Sequence, residues 1–151
     1  MNFPRLSLPM SGLKLKTDND VTSVFCLVRK KWIILTPEEW VRQHFIAYLN
    51  SELNYPLSHM AAEKQIIVNG LKKRFDISCA NSSGKIILLV ECKSADIELS
   101  NTTFNQAARY NLTLKVPFLI ITNGMTHFCA KIDLDNSSID YLREIPSYET
   151  I

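Results

Sequence analysis

The sequence lacks several features that would place the protein in a specialised class. It has no apolar run near the roughly 18 residues of a membrane span, and its N terminus lacks the apolar stretch of a signal peptide. It also contains no CxxC pair, internal repeat or low-complexity segment. The four cysteines lie far apart, at Cys26, Cys79, Cys92 and Cys129. We therefore expect a cytoplasmic protein with buried, reduced thiols rather than disulfides or a metal cluster on cysteine.

A strong charge of one sign is also absent. There are 17 Lys and Arg residues against 15 Asp and Glu, a net charge of +2, which by itself does not indicate a polyanionic partner. The charge is unevenly distributed, because residues 1–93 carry +5 and residues 94–151 carry −3. This asymmetry permits a basic face. Ordinary solvated surface charge is the simpler explanation.

The sequence does contain the pattern of one α/β domain over residues 1–151. Its composition, 46% hydrophobic and 21% charged, is typical of a soluble chain able to bury a core. We expect a core over about 35–132, an irregular lead-in over the first twenty residues and a polar tail from residue 133. Hydrophobic periodicity and turn signals predict a short hairpin or two strands over 21–35, a helix over 37–53, strands at 63–68, 74–80 and 85–93, a helix over 100–114, and strands at 116–122 and 125–132. Short turns make the middle three strands an antiparallel meander, and Asn123-Gly124 is a hairpin turn.

The first predicted helix has a clear start at TPEE, residues 36–39. Threonine can cap a helix, proline suits the first helical position, and two carboxylates favour the positive end of the helix dipole. The apolar stripe then falls on Val41, Phe45, Tyr48 and Leu49. Because Glu38 lies three residues before this stripe begins, we expect it to point toward the core. Glu39 stays open as the alternative.

The segment ILLVECK is the first indication of chemistry. An almost wholly apolar strand is buried on both faces, yet this one ends in a carboxylate, Glu91, and an ammonium, Lys93. The two share one face because strand side chains alternate. Asp76, on the preceding strand, faces away from its apolar neighbours. The hairpin can therefore bring Asp76 close to Glu91 and Lys93.

Burying the charges of Glu91 and Lys93 costs free energy unless a ligand compensates for it, and a divalent metal or a substrate phosphate would do so. Carboxylate oxygens select Mg²⁺ or Mn²⁺, and such an ion activates water for phosphodiester hydrolysis. In this hypothesis Asp76 and Glu91 bind the metal, and Lys93 orients or deprotonates the attacking water. Glu38 could hold a water on the metal. For the E-x-K pair alone, the alternative is a surface ion pair at a strand end.

Five motifs extend the pattern along the chain, in the order TPEEWVRQ, RFDI, LLVECKS, NQAARYN and PFLIITNG. Together they resemble the N-terminal nuclease domain of the type I restriction enzyme R subunit, a branch of the PD-(D/E)xK nuclease superfamily. The resemblance implies a restriction-endonuclease-like α/β fold, with a central mixed sheet flanked by helices. It implies that Asp76 and Glu91 are metal ligands, that Lys93 is the catalytic lysine, and that the backbone carbonyl of Cys92 is a further ligand.

The resemblance also implies a Mg²⁺-dependent DNA endonuclease, with restriction–modification subunits as candidate partners. No G-x-x-x-x-G-K-[ST] phosphate loop is present, so we expect a solitary domain that would need a separate helicase motor for translocation-driven cleavage. Two other functions stay open. One is a non-catalytic module that binds DNA or a partner subunit on the same scaffold. The other is a structural or interaction protein in which Glu91 and Lys93 merely pair.

The remaining polar candidates have two interpretations each. Gln106 and Tyr110 match a Q-x-x-x-Y signature that, by the resemblance, lies beside the lysine and the substrate backbone. Four residues apart on a helix, they could instead hydrogen-bond to each other. Lys72, Lys73 and Arg74 can contact a phosphate backbone or form an ordinary solvated turn. The three histidines show no metal-ligand spacing, and no role is assigned to them.

Overall fold

Two sheets and two helices are formed within residues 3–151, the part of the chain that the computed structural model describes. The first three strands, β1 (Leu15–Asp18), β2 (Val21–Cys26) and β3 (Lys31–Ile34), make a small antiparallel sheet. The remaining elements are α1 (Pro37–Ser51), β4 (Met60–Val68), β5 (Leu71–Ala80), β6 (Ile86–Cys92), α2 (Asn101–Leu114), β7 (Phe118–Thr122), β8 (His127–Asp133) and β9 (Ser138–Leu142). Single 3-10 turns lie at Leu57–His59 and Tyr148–Thr150.

The larger sheet has six strands in the order β4-β5-β6-β7-β8-β9. Strands β6 and β7 are parallel and all other neighbours are antiparallel. A parallel pair needs a crossover connection, and α2 supplies it. The predicted α/β class with a mixed sheet is confirmed, as is the antiparallel meander of β4, β5 and β6.

The two helices pack on opposite faces of this sheet. Helix α1 contributes Val41, Phe45, Ile46 and Leu49 to one apolar cluster, which also contains Ile77 and Val90 of the sheet and Cys26 of β2. Helix α2 contributes Phe104, Ala108 and Leu114 to a second cluster, with Leu89 and Ile121 from the other face of the sheet. The small β1–β3 sheet therefore joins the α1 side of the molecule.

The N-terminal lead-in was expected to be irregular, and this is wrong for residues 15–18, which form β1. All four residues of β1 are exposed, so no hydrophobic alternation marks the strand. A turn sets its pairing with β2, because Asn19 and Asp20 both adopt the left-handed conformation, with φ of 48° and 63°. Residues 1 and 2 of the predicted lead-in lie outside the described residues.

The predicted element bounds differ from the observed ones mainly at their ends. Helix α1 begins as predicted, with the Thr36 hydroxyl accepting a hydrogen bond from the Glu39 N–H at 3.0 Å, but it ends at Ser51 rather than Leu53. The polar tail contains a further strand, β9, which pairs with β8 at the sheet edge.

All four cysteines lie in strands, and all four are buried and free, as expected. None of the helices within residues 3–151 has the length and apolar character that crossing a membrane requires.

Candidate metal centre

In the β4–β5 hairpin, the direction of the side chains changes at Glu63 and Asp76. The register pairs Ala62 with Ile77 and Lys64 with Phe75, and Glu63 and Asp76 lie between those pairs. Glu63 has φ of 53°, a left-handed conformation that is strained for a residue other than glycine. On the partner strand, Ile77 packs in the cluster under α1, whereas Phe75 packs in the cluster under α2. Regular alternation would put both on one face. The irregularity lets both carboxylates face the N-terminal end of α1.

Three carboxylates meet at this point. Glu38, from the first turn of α1, joins Glu63 and Asp76, and each offers an oxygen within 4.8 Å of the other two. An open cavity of about 570 Å³ adjoins Glu38 and Glu63, and Asp76 lies just outside its lining. Its lining includes Glu38 and Glu63, together with Arg29 from the β2–β3 turn and Ser94 just after β6. We call this space the carboxylate cleft.

The Arg42 guanidinium, 5% exposed, lies among these carboxylates. Its Nη2 atom lies 2.9 Å from Glu38 Oε1, 2.7 Å from Glu63 Oε1 and 2.6 Å from Asp76 Oδ1, while Nη1 donates to Glu39 Oε1 at 2.7 Å. Nη2 has two hydrogens for three oxygens. Nε is buried and has no hydrogen-bond partner within the described residues. One arginine therefore satisfies the cluster incompletely.

The expected direction of Glu38 is wrong. The Glu39 side chain is 5% exposed, whereas that of Glu38 is 48% exposed. Burial of Glu39 is compensated by a hydrogen bond from Arg29 Nη2 at 2.7 Å and one from Gln43 Nε2 at 2.8 Å, in addition to Arg42. Apolar periodicity does not detect such compensation. Glu38 nevertheless lines the carboxylate cleft, and one of its oxygens lies within 4.8 Å of oxygens of Glu63 and Asp76.

The cluster carries excess negative charge. Four carboxylates, including Glu39, face the two guanidinium groups of Arg29 and Arg42, which leaves a formal charge of −2. Burial raises the pKa of Glu38, and the Asp76 charge raises it further. Burial and a contact with Asp76 raise the pKa of Glu63. A divalent cation has the charge that would neutralise this group.

Asp76 also links the cluster to the segment that carries the E-x-K motif. Its Oδ2 accepts a hydrogen bond from the Cys92 N–H at 2.8 Å. Burial raises the pKa of Glu91, the Lys93 charge opposes this, and the Asp76 charge adds to it. Glu91 is not a member of the close carboxylate group found within residues 3–151, and its partner in the parallel register, Ile121, packs on the α2 side.

Lys93 is exposed just beyond β6. It lines a small cavity of about 110 Å³ with Phe104 and Ile121, separate from the lining of the carboxylate cleft. Within the described part of the chain it forms no ion pair with Glu91. The structure thus brings Asp76 together with Glu38 and Glu63, and sets Glu91 and Lys93 at the adjoining end of β6.

The architecture and this geometry can be compared with known proteins. Residues 37–146 match the family described as Type I restriction enzyme R protein N terminus (HSDR_N). The match spans most of the chain, from α1 through β9. The chain belongs to this family. The resemblance predicted from the motifs is therefore confirmed, and the family relates the protein to type I restriction–modification systems. Searches among curated proteins and solved structures gave no significant match.

In this structure the Asn123-Gly124 turn supports the loop that follows Lys93. The Lys93 N–H donates to the Thr122 carbonyl at 2.8 Å. Asn123 is buried and its Nδ2 donates to the Ile97 carbonyl at 2.8 Å, which ties the turn to the loop. At Gly124, φ is +83° and an added Cβ would lie 2.8 Å from Leu6. The turn is thus more constrained than an ordinary hairpin.

The remaining predicted residues of the R-protein domain lie outside the carboxylate cleft. Gln106 and Tyr110 are exposed on α2, which covers the other face of the sheet from α1. No hydrogen bond joins them in residues 3–151, but the Lys73 ammonium lies 5.1 Å from the Tyr110 ring centroid. Lys72 and Arg74 are exposed on the same strand, β5.

Two members of the cluster, Arg42 and Glu63, were not identified from the sequence. Arg42 lies in the motif TPEEWVRQ, four residues after Glu38, and this spacing places both on one side of a helix. That signal was available. For Glu63 there was no usable signal, because its left-handed backbone lies within a β-rich run.

Proposed function

We propose that this R-protein domain is a Mg²⁺-dependent DNA endonuclease of PD-(D/E)xK type that hydrolyses phosphodiester bonds. The observation that carries the proposal is the meeting of Glu38, Glu63 and Asp76 beside an open cleft. Family membership adds a nuclease-related context. Restriction–modification subunits and a separate helicase motor are the partners we propose, with DNA as substrate.

The donor chemistry of the cluster suits Mg²⁺ or Mn²⁺. Carboxylate oxygens are hard ligands, and the formal charge of −2 matches a divalent ion. Arg42 Nε has no hydrogen-bond partner within the described residues, and Nη2 has only two hydrogens for three carboxylate oxygens. Both observations fit a site that can accept a further positive charge. Asp76, Glu38 and Glu63 would hold the ion at the carboxylate cleft. The Cys92 carbonyl would be a further ligand, and Glu91, whose register partner packs on the α2 side, would join by turning its side chain toward Asp76. When bound, such an ion lowers the pKa of a water and offsets charge on the phosphate oxygens.

The residues of the E-x-K segment would act on the attacking water and the phosphate. Lys93 would orient or deprotonate the water and stabilise negative charge on the phosphate oxygens. Its exposure leaves the long side chain free to move, and its neighbour Ser94 already lines the carboxylate cleft. Burial raises the pKa of Glu91, and a cation bound nearby would favour its ionised form.

DNA contacts are proposed for the exposed residues around α2. Lys72, Lys73 and Arg74 on β5 would contact the phosphate backbone, with Gln106 and Tyr110 adding polar contacts. The closeness of Lys73 to the Tyr110 ring supports one continuous contact surface across β5 and α2.

A second candidate is a non-catalytic module that binds DNA or a partner subunit. One observation favours it: Arg42 already contacts Glu38, Glu39, Glu63 and Asp76, as a structural ion-pair network would. In that case the guanidinium is the permanent cation of the cluster. The two candidates differ in whether a metal binds and in whether DNA is cut.

The experiment that separates them combines Mn²⁺ binding with nicking of supercoiled DNA. A nuclease binds Mn²⁺, measured by calorimetry, and Asp76→Asn loses both binding and nicking. Lys93→Ala keeps Mn²⁺ binding but loses most nicking, on the order of a hundredfold or more. The exposed turn variant Asp135→Asn is the matched control and changes neither.

A folded protein that neither binds Mn²⁺ nor nicks any DNA form would reject the nuclease and favour the binding module, and Mn²⁺ binding without any nicking would reject both candidates as stated. Nicking that persists in Asp76→Asn would show a contaminating enzyme or a different site.

A further inference from the structure

The outer face of the β1–β3 sheet is exposed and carries aromatic side chains. Its inner face is made by Val24 and Cys26, which are fully buried. Alternation turns Phe25 outward, and the strand register sets it opposite Trp32, with the rings edge-on and 5.5 Å between centroids. Trp32 is 40% exposed and Ile34, on the same face, is 64% exposed.

Lysines surround this aromatic pair. Lys14 lies beside Phe25, because its carbonyl accepts a hydrogen bond from the Phe25 N–H at 2.9 Å. The Lys16 ammonium lies 4.3 Å from the centroid of the Trp32 ring. The β2–β3 turn adds Lys30, which is exposed. Lys31 is also exposed, but it pairs with Cys26 and therefore points to the other face of the sheet from Trp32.

The charge of this segment stands out from the rest of the chain. Residues 14–34 hold five basic and two acidic residues, a charge of +3, while the whole chain carries +2. The two acidic residues, Asp18 and Asp20, lie at the β1–β2 end of the sheet, away from Lys30 and Lys31. The basic end adjoins the carboxylate cleft, because Arg29 in the same turn lines it.

We propose that this surface, which we call the β1–β3 face and define by Lys14, Lys16, Phe25, Lys30 and Trp32, binds single-stranded nucleic acid. Bases would stack on Trp32, and the ammonium groups would contact phosphates. The combination of an exposed aromatic platform with flanking lysines suits this ligand, since every base has a π-face and every nucleotide a negative charge. The Lys16 side chain is flexible enough to leave the ring for a phosphate when a base arrives.

A protein partner fits the β1–β3 face less well. The centre of a protein interface is depleted in lysine, whereas here an ammonium covers the aromatic ring at the middle of the patch. The inference goes beyond the proposed function, because the face lies before the family-matched residues 37–146 and its binding requires no metal. A strand bound there would lead toward the carboxylate cleft past Arg29.

Tryptophan fluorescence offers a site-specific test, because the chain has two tryptophans, Trp32 and Trp40. Trp40 lies elsewhere, stacked on Phe3 with ring centroids 5.2 Å apart. In Trp40→Phe, emission reports Trp32 alone. Titration with oligo(dT) in EDTA should quench this emission, and inorganic polyphosphate, which has no bases, should not. In Trp32→Leu, the remaining Trp40 emission should be unaffected, and the Kd measured by anisotropy of labelled oligo(dT) should rise about tenfold.

The salt dependence tests the lysines separately from the aromatic platform. The double variant Lys16→Gln/Lys30→Gln should reduce the slope of log Kd against log salt by about 1.4, since each phosphate contact on a single strand adds about 0.7. The matched control Lys85→Gln/Lys131→Gln removes two exposed lysines elsewhere and should leave the slope unchanged. Parallel titrations with oligo(U) distinguish RNA from DNA as the ligand.

Equal oligo(dT) affinity of the parent and Trp32→Leu would overturn the inference, as would an unchanged salt slope in the lysine variant. Self-association that Trp32→Leu abolishes, without binding of oligo(dT), would assign the face to a second copy of the chain instead. Because every titration is done in EDTA, a lack of metal-dependent cleavage has no effect on the outcome.

Discussion

At the scale of single residues, the Arg42 guanidinium accounts for most of the electrostatics of the carboxylate cleft. It contacts four carboxylates from three elements, α1, β4 and β5. Burial by itself would lower its pKa, but the hydrogen bond to Asp76 and the charge of Glu39 raise it above its usual value. Removal of this charge leaves four carboxylates facing one another with Arg29 alone.

We expect Arg42→Met to lower the free energy of unfolding by about 3–5 kcal/mol in EDTA, because it leaves buried charges uncompensated. Mg²⁺ should recover part of this loss, since an ion that binds only the folded state stabilises it. Urea unfolding with and without Mg²⁺ measures both effects. The exposed α2 variant Arg109→Met is the control and should stay within about 0.5 kcal/mol of the parent. An Arg42→Met protein as stable as its parent in EDTA would contradict this account.

The choice between Glu38 and Glu39 shows what sequence periodicity can and cannot predict for a single side chain. Helical spacing identifies the turn of α1 that faces the cleft, but not which carboxylate is buried. That depends on Arg29 and Gln43, which reach Glu39 from the β2–β3 turn and from the next helical turn. Such partners become visible only when the elements are assembled.

At the scale of elements, the β4–β5 hairpin positions two of the three clustered carboxylates through one unusual backbone angle. A left-handed residue within a strand costs about 1–2 kcal/mol for a side chain other than glycine. Glu63 adopts it, and this is where the side-chain alternation changes. Strain of this kind supports a functional use of the site rather than a purely structural one.

We therefore expect Glu63→Gly to be more stable than Glu63→Ala by about 1 kcal/mol, since both remove the carboxylate and differ in the cost of the left-handed angle. At the next residue, Lys64, which is exposed and has ordinary strand geometry, the order should reverse, with Ala more stable than Gly by about 0.5–1 kcal/mol. Urea midpoints of the four variants give the comparison. If the Ala variant were more stable than the Gly variant at both positions, residue 63 would not be left-handed in solution.

The elements themselves were largely predictable. Apolar and β-branched runs bounded by turn residues indicate β4 to β8, and the capping signal at Thr36 indicates the start of α1. The strands β1 and β9 were not predicted, because both are exposed edge strands whose pairing depends on a turn rather than on buried side chains. The facing change at Glu63 was equally invisible, since periodicity assumes unbroken alternation.

At the scale of the whole molecule, excess carboxylate charge makes folding stability depend on pH. The pKa values of Glu38 and Glu63 are raised, so the folded state binds protons more tightly than the unfolded chain between the usual and the raised values. The contribution of these two groups to the free energy of unfolding is therefore greatest in mild acid. It decreases as the pH rises through that window.

Urea midpoints measured in EDTA from mildly acidic to neutral pH should show this decrease, and Glu38→Gln should reduce it. Saturating Mg²⁺ should oppose it, because the ion binds the ionised carboxylates. The exposed variant Asp135→Asn serves as the control and should keep the pH dependence of the parent. A pH dependence that Glu38→Gln leaves unchanged would contradict the raised pKa of Glu38.

The fold class and the family were predictable because five motifs in a fixed order constrain the whole chain more than any single motif does. The composition of the cluster was only partly predictable. Asp76 and Glu38 were identified, while Glu63 and Arg42 depend on how α1 docks against a distorted hairpin. Docking is a property of the assembled molecule, and no local spacing encodes it.

The guanidinium at the centre of the cluster also affects the choice of chaotrope for this protein. Guanidinium chloride supplies the same planar cation that Arg42 inserts between the carboxylates, so in Arg42→Met low concentrations of it should take the place of the missing side chain. Unfolding curves in guanidinium would then combine site occupancy with denaturation. Urea, which is uncharged, reports the unfolding alone.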